Sequence, residues 1–467
     1  MQSITQIMPH KKIHFIGIGG VGMSALAQIL LAKGYQVSGS DLKETPITSR
    51  LVNLGAKIFF GHKAENISEV DIVVYSSAIP ENNPEVLRAK EKNINLMRRA
   101  ELLASLMKGK TGIAIAGAHG KTTTTALIAY LLKSSGSDPS FAVGADVSVL
   151  GGNAQDGGGD YFVAEADESD GSFLYLNPEH AVLTNIDKEH LDYYENMQHI
   201  IDTYAQFVKN LSPRGMLCCY GEDVNIIRAL EQYEGKIIRY GFNAQCDLSA
   251  FDIHCTGMSS TFNCRYKGND LGAFNLQIPG EHNVLNALAC IGIGITLGID
   301  ISIIKQALAD FHGVYRRFQI RHSSGQITII DDYAHHPTEI EATLKAAKAY
   351  TDRRIVGVFQ PHRYSRTKFL KEEFGRCFAL ADYVVVTDIY AASEDPIEGV
   401  AAKVIYEQIK KNGHRDVHLL PKEKVNEHLA EIAQEGDVLM MLGAGDINTL
   451  ADDLIKKLSA KHMCCLK

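Results

Sequence analysis

Residues 111–125 read Thr-Gly-Ile-Ala-Ile-Ala-Gly-Ala-His-Gly-Lys-Thr-Thr-Thr-Thr. An apolar run, a glycine loop and a helical pattern follow one another without a gap. This order predicts a buried strand over 111–116 and a helix from Thr123 to Lys133. The loop between them, Gly117-Ala-His-Gly-Lys-Thr122, ends like a phosphate-binding loop. The amides of such a loop cradle phosphates, its Lys (here Lys121) reaches the β and γ oxygens, and its Thr (here Thr122) ligates Mg²⁺. It is shorter than the full pattern, because Ile115 stands where the first glycine belongs. A chance Gly-Lys-Thr at a helix start is the bland alternative, and the agreement of strand, loop and helix weighs against it.

Such a loop needs an acidic metal partner at the end of a neighbouring strand. The run Tyr161-Phe-Val-Ala-Glu165 supplies one and feeds into Glu165-Ala-Asp-Glu-Ser-Asp170. A solvated acidic loop is the alternative, but an apolar strand leading straight into it favours a metal site. A strand at Ala181–Thr184 leads to Asn185-Ile-Asp-Lys-Glu-His190. One His after a strand is more often structural than a ligand. Mg²⁺ prefers oxygen donors, whereas Mn²⁺ accepts imidazole.

Outward from this unit, strand and helix signals alternate along most of the chain. Strands are predicted at 12–17, 35–40, 56–60 and 71–75, with a helix at Gly22–Lys33. A further helix, Arg98–Met107, leads to a hinge at 108–110. After the P-loop unit come a helix at His199–Leu211 and a strand at Met216–Tyr220. Residues 246–278 read as a small antiparallel insertion. Strands at 327–331, 355–359, 383–387, 417–420 and 438–442, closed by a helix at Asp446–Leu458, resemble a doubly wound unit. The expectation is an α/β protein of three domains, with boundaries 1–107, 108–312 and 313–467. The first and third are Rossmann-like, and the central one is a P-loop ATPase-like domain carrying the insertion.

The first unit holds a second glycine loop, Gly17-Ile-Gly-Gly-Val-Gly22, with Asp41 about 20 residues further on at the end of the second strand. This is the dinucleotide fingerprint, in which glycines admit a pyrophosphate to the backbone and the helix N-terminus favours its charge. The alternative is a tight turn needing small residues. The pattern does not say which nucleotide is bound.

Composition sets the outer limits. The 467 residues carry 47 Lys plus Arg against 55 Asp plus Glu, a net charge of -8, which excludes the global basic field of a nucleic-acid binder. Nine cysteines without a Cys-x-x-Cys form neither a zinc pattern nor a secreted disulfide framework. The N-terminal residues show no apolar leader. The longest apolar stretch, Val284–Ile299, is interrupted by Asn286, Thr296 and glycines, and falls short of the roughly 20 residues a membrane span needs. A cytoplasmic, reduced, multidomain enzyme is expected.

Two phosphate-binding loops in separate units suggest two phosphorylated ligands, hence ATP-driven activation of one ligand followed by joining to another. An NAD-dependent oxidoreductase has no evident need of the P-loop. A GTPase would carry Asn-Lys-x-Asp, which is absent. A nucleotide switch would leave the His and Arg loops of the third unit without a purpose.

Those loops carry a resemblance. Gly17–Ser24, Gly117–Thr125, Glu165–Asp170 and His282-Asn-Val-Leu-Asn286 occur in order. They are followed by Arg316-Arg-Phe318, Asp331-Asp-Tyr-Ala-His-His-Pro-Thr-Glu339 and Gln360-Pro-His-Arg-Tyr-Ser-Arg366. Together they resemble the Mur ligases over essentially the whole chain.

The resemblance implies ATP-dependent attachment of L-alanine to the lactyl carboxylate of UDP-N-acetylmuramate through an acyl phosphate, an early step of peptidoglycan precursor synthesis. A recycling ligase that attaches a preformed peptide is the near alternative. The resemblance also implies that the first unit holds the UDP-sugar, not NAD, using Gly19, Gly20, Val21, Gly22, Ser24, Asp41 and Ser76. ATP would lie on Gly117, Ala118, His119, Gly120, Lys121, Thr122 and Thr123, with His282 and Asn286 at the adenine and Arg317 at the phosphates. Thr122, Glu165 and His190 would hold Mg²⁺, with Mn²⁺ plausible. Tyr333, His335, His362 and Arg366 would shape the alanine site, with Arg366 offering a fork to its carboxylate. Lys121, His190, His335 and Arg366 would carry the catalysis. The implied partners are small molecules, without nucleic acid or a membrane span, in a monomer or weak homodimer. Ala118 and Ala334 depart from the pattern, which has Thr and Gly there. A methyl at 334 is expected to strain the turn if that turn requires positive φ.

Overall fold

The computed structural model describes residues 11–324, 327–392 and 394–465. The leader reading of residues 1–10 and the side chains of Cys464 and Cys465 fall outside what is described. Three parallel-rich sheets, each covered by helices, form the α/β architecture that the sequence predicts.

The first sheet runs Lys57–Phe60, Gln36–Asp41, Lys12–Ile16, Ile72–Tyr75, Asn95–Arg98 in space, all parallel. The order reverses beside Lys12–Ile16, which places the first glycine loop at the switch point. The Asn95–Arg98 edge strand has a single buried residue, so the apolar pattern that finds strands is missing from it.

The middle sheet has ten strands. Its centre is Met216–Tyr220, His180–Leu183, Thr111–Ala116 and Tyr161–Glu165, parallel and almost continuously apolar, as strands covered on both faces must be. The antiparallel strands Leu248–Thr256, Ser259–Tyr266 and Asn269–Leu276 fall where the small antiparallel insertion in the central domain is predicted. Leu248–Thr256 pairs in parallel with Lys236–Gly241, so they extend the same sheet. At the other end, Ser140–Val147 pairs with Tyr161–Glu165, and Gly152–Gln155 closes the edge.

The third sheet has six strands, with Gln319–Ser323 antiparallel at its edge and the other five parallel in the order Thr328–Asp332, Val438–Leu442, Ile355–Phe359, Tyr383–Val386, Val417–Leu419.

Helix Lys121–Ser134 is buried along nearly its whole length and packs against helix Glu281–Thr296. The apolar stretch from residue 284 is therefore mostly interior helix, which ends at Thr296. Among the described residues no helix is long and apolar enough to cross a membrane.

Candidate active site

The carboxyl ends of strands from all three sheets open onto one cleft of about 680 Å³. Its walls include Gly19, Val21 and Gly22 from the first glycine loop, Ala118–Thr122 from the second, Glu165, His190, Arg317, Tyr333 and His335. Loops at the carboxyl ends of parallel strands are the places where α/β proteins present ligand sites, because crossover helices begin there and the backbone amides face outward.

In the second loop Gly117 and Gly120 both take positive φ. A Cβ at Gly117 would lie 2.0 Å from the Thr184 hydroxyl, and one at Gly120 would lie 2.5 Å from Asn286 Oδ1, so only glycine fits either place. The His119 carbonyl accepts from Thr184 Oγ1 at 2.6 Å, and the His119 amide donates to Asn185 Oδ1 at 2.9 Å, which pins the loop to the neighbouring strand end. Lys121 Nζ donates to Glu168 Oε1 at 2.8 Å and to the Ala118 carbonyl at 3.2 Å. Burial opposes the Lys121 charge, but the Glu168, Asp167 and Glu165 carboxylates outweigh it and raise its pKa.

The three proposed metal donors fall on two neighbouring contacts. Thr122 Oγ1 lies 3.3 Å from Glu165 Oε2, whose other oxygen accepts the Gly144 amide. Burial pushes the Glu165 carboxyl above its ordinary range. His190, at φ 54°, has Nε2 3.6 Å from Glu168 Oε1. Burial acts against its charge, and the Glu168 hydrogen bond reverses that and raises its pKa.

Across the cleft the third unit is organised by Glu339, in the first turn of helix Pro337–Tyr350. Its Oε2 accepts the His335 and His336 amides at 3.0 and 3.3 Å and pairs with His335 Nδ1 at 3.1 Å. Its Oε1 lies 3.3 Å from His119 Nδ1. The other nitrogen of His119 is 2.9 Å from Asp187 Oδ2, which also accepts the Thr338 hydroxyl at 2.7 Å. Burial works against the His119 charge, but Asp187 and Glu339 lift it to about 9, so this P-loop side chain is an imidazolium bridging two domains. Its ring packs on that of His336, 4.6 Å away, which burial and the His119 charge hold down to about 4.

The Arg316 and Arg317 guanidinium groups both lie over the Tyr333 ring, at 5.2 and 5.1 Å. Both line the cleft, and Arg316 also donates to the Gly443 and Gly445 carbonyls. Arg366 gives its fork to Glu189, with Nε to Oε1 at 3.1 Å and Nη2 to Oε2 at 2.9 Å. His362 accepts from Arg366 Nη1 at 3.0 Å, and burial with the His335 and Arg366 charges keeps its imidazole neutral, at about 2.

Several expected residues sit one step back from the cleft. Asp41 accepts the Gly19 amide at 2.8 Å and so fastens the first glycine loop. Gly20 caps the following helix, and Ser24 is buried with its hydroxyl on the Val21 carbonyl. Ser76 lines a separate cavity of about 200 Å³ that shares Arg99 with the main cleft. Thr123 is buried in its helix, Asn286 accepts the Thr124 hydroxyl at 3.2 Å, and burial with Arg317 holds the His282 imidazole down to about 4. Ala334 is not among the residues at positive φ. Its methyl is fully buried among Phe318, Ile340 and Leu344, so the expected strain is absent.

Sequence reading assigned nothing to Arg99, which pairs with Asp167 at 2.6 Å, or to Glu168, Asp187, Glu189 and Glu339. All four acids lie inside stretches already quoted, where the roles went to neighbouring residues.

Comparison with known proteins gives three family-model matches in chain order: "Mur ligase family, catalytic domain" over residues 12–111, "Mur ligase middle domain" over 115–294, and "Mur ligase, glutamate ligase domain" over 316–445. The chain is 48% identical to the UDP-N-acetylmuramate–L-alanine ligase of Trichlorobacter lovleyi, over 96% of this chain and 99% of that one. Among solved structures, it is similar to a UDP-N-acetylmuramate-alanine ligase from Thermotoga maritima, with a TM-score of 0.83 at 31% identity, over 97% of this chain and 100% of that one. It also shares the fold of a murein peptide ligase from Psychrobacter arcticus, with a TM-score of 0.73 at 24% identity, over 96% of this chain.

Proposed function

The chain belongs to the Mur ligase family, and we propose that it joins L-alanine to the lactyl carboxylate of UDP-N-acetylmuramate with cleavage of ATP. The observation that carries this reading is the single cleft onto which both glycine loops and the Tyr333–His335 turn open. The near full-length likeness to ligases of that name supports the choice of substrates. We assign 1–107 to the sugar nucleotide, 108–312 to ATP and 313–467 to the amino acid. The free state of the seven described cysteines fits work in the cytoplasm.

The loops fit a nucleotide and a divalent cation. Gly117 and Gly120 let the loop lie tight against Thr184 and Asn286, and Lys121 points its ammonium along the same loop. Glu165 is a half-buried carboxylate beside the Thr122 hydroxyl, and these two oxygen donors suit a hard metal ion. Thr122 and Glu165 would hold Mg²⁺ with His190, and the ion would offset charge on the transferring phosphate. When bound, ATP supplies the phosphoryl group that turns the lactyl carboxylate into an acyl phosphate, whose leaving group the amine can displace.

The residues of the chain do the rest. Lys121 is already charged and needs only to exchange Glu168 for phosphate oxygens. Arg317, held over Tyr333, adds a second cation on the opposite wall. The contact of His119 with Glu339 ties the third unit to the P-loop, while Asp187 holds the imidazole from the middle unit. Tyr333, His335 and His362 shape the alanine site, and Arg366 takes the amino-acid carboxylate.

Incubation of the purified chain with ATP, Mg²⁺ and UDP-N-acetylmuramate tests the proposal. Phosphate release is expected on adding L-alanine. Release only on adding the murein tripeptide would overturn it in favour of a recycling ligase.

A further inference from the structure

The Arg366 fork is not open to the cleft. Glu189 lines the 680 Å³ cleft, and Arg366 does not. The two share a small void of about 20 Å³ with His190, room for a water and not for an amino acid. Glu189 thus stands between the guanidinium and the ligand space. The two side chains, 9% and 7% exposed, come from different domains and meet two-pronged, at 3.1 and 2.9 Å. His190 and His336 flank Glu189 at 3.8 and 3.9 Å.

We propose that this ion pair is a pre-formed receptor for a zwitterionic α-amino acid: the incoming carboxylate takes the fork of Arg366, and Glu189, released from it, takes the α-ammonium. The inference rests on the reading of Arg366 as the partner of the alanine carboxylate, and it adds Glu189 as the residue that selects the amine.

The reason is electrostatic. Opening a buried ion pair with a single charge leaves the other member buried and unpaired, which is strongly unfavourable. A ligand carrying only a carboxylate would strand Glu189, and one carrying only an amine would strand Arg366. A zwitterion replaces both contacts at once, so the pair rejects half-charged analogues without any steric device.

Initial-rate kinetics and calorimetry on the full chain test this, with L-alanine, propionate (carboxylate only) and alaninamide (amine only) as probes. In the unmodified protein both half-charged probes are expected to bind at least about 10-fold more weakly than alanine. Propionate binding as well as alanine overturns the proposal without any variant. In Glu189→Gln the KM for alanine should rise about 10- to 100-fold while those for ATP and the sugar nucleotide hold, and propionate should bind more tightly than to the unmodified protein. Glu189→Asp, which keeps the charge, should retain a preference for alanine over propionate.

A purely structural Glu189 would weaken both probes together, and that outcome sinks the exchange. Arg366→Met separates the two layers. If it leaves alanine binding intact, the carboxylate assignment fails and the exchange with it. If it weakens alanine while Glu189→Gln fails to favour propionate, the assignment stands and the exchange alone fails.

Discussion

Lys121 is the residue on which sequence and structure agree most closely. Its Nζ lies 2.8 Å from Glu168 and 3.2 Å from a loop carbonyl, in the wall of the cleft. Lys121→Ala removes the one ammonium at the phosphate loop, so kcat should fall by about 10³-fold. The far-ultraviolet dichroism should be unchanged, since the helix it opens is held by its buried apolar residues. A folded variant of near-normal turnover would overturn the role given to the lysine. Lys121 was legible because its glycine neighbours and the flanking elements form a local pattern. Glu189 and Glu339 were not, because an acid in a polar loop has no signature. Their meaning comes from Arg366, 177 positions away, and from His119 in another domain. At Ala334 strain is expected only if the turn requires positive φ, and the condition is not met: its backbone is not left-handed and its methyl fills a core.

At the level of elements, helix Lys121–Ser134 begins with Gly120 at φ 82°, ψ -7°, a left-handed cap with no side-chain hydrogen bond. Gly120→Ala would cost about 1–2 kcal/mol for the backbone alone. It would also push Asn286 off the Thr124 hydroxyl, because the new Cβ would stand 2.5 Å from Asn286 Oδ1. The expected result is a lower melting temperature and weaker nucleotide binding, read by scanning calorimetry and ATP titration. An unchanged melting temperature would count against the packing argument. Most strands that the sequence revealed are buried on both faces, such as Thr111–Ala116 and Ile355–Phe359, whose apolar runs are continuous; the half-exposed edge strands Lys57–Phe60 and Val417–Leu419 were also found. Asn95–Arg98, Ser140–Val147, Gly152–Gln155, Lys236–Gly241 and Gln319–Ser323 escaped notice because they are half-exposed, several of them at sheet edges, and their composition is mixed.

Over the whole molecule the two domain junctions differ in kind. One apolar cluster runs without a break from Ile13 and Met107 in the first unit to Phe173 and Leu176 in the middle one, so the stretch 108–110 joins bodies that share a core. Around the cleft the third unit meets the middle one through charge: His119 with Glu339, Arg366 with Glu189, Arg363 with Asp192. Docking of the third unit should therefore depend on pH through His119. Asp187 faces that imidazole from the middle unit. Glu339 faces it from the third, shared with His335 and Arg317, and His336 stacks on it as a neutral ring. The folded pKa of about 9 lies above the ordinary 6.5. Below pH 6.5 the imidazole is protonated folded or unfolded, and the stabilisation is fully present. Between 6.5 and about 9 only the folded form keeps the proton, so stability falls as pH rises, by on the order of 3 kcal/mol across the window, and the contribution is gone above it; Asp187 lies in the same unit as His119, so the Glu339 contact is the part that acts on docking. Heating curves and small-angle scattering from pH 6.5 to 9.5 should show a falling melting temperature and a growing radius of gyration. In His119→Asn, which carries no charge at any of these values, that part of the slope should vanish. An equal slope in the variant would mean that the imidazolium does not hold the third unit closed.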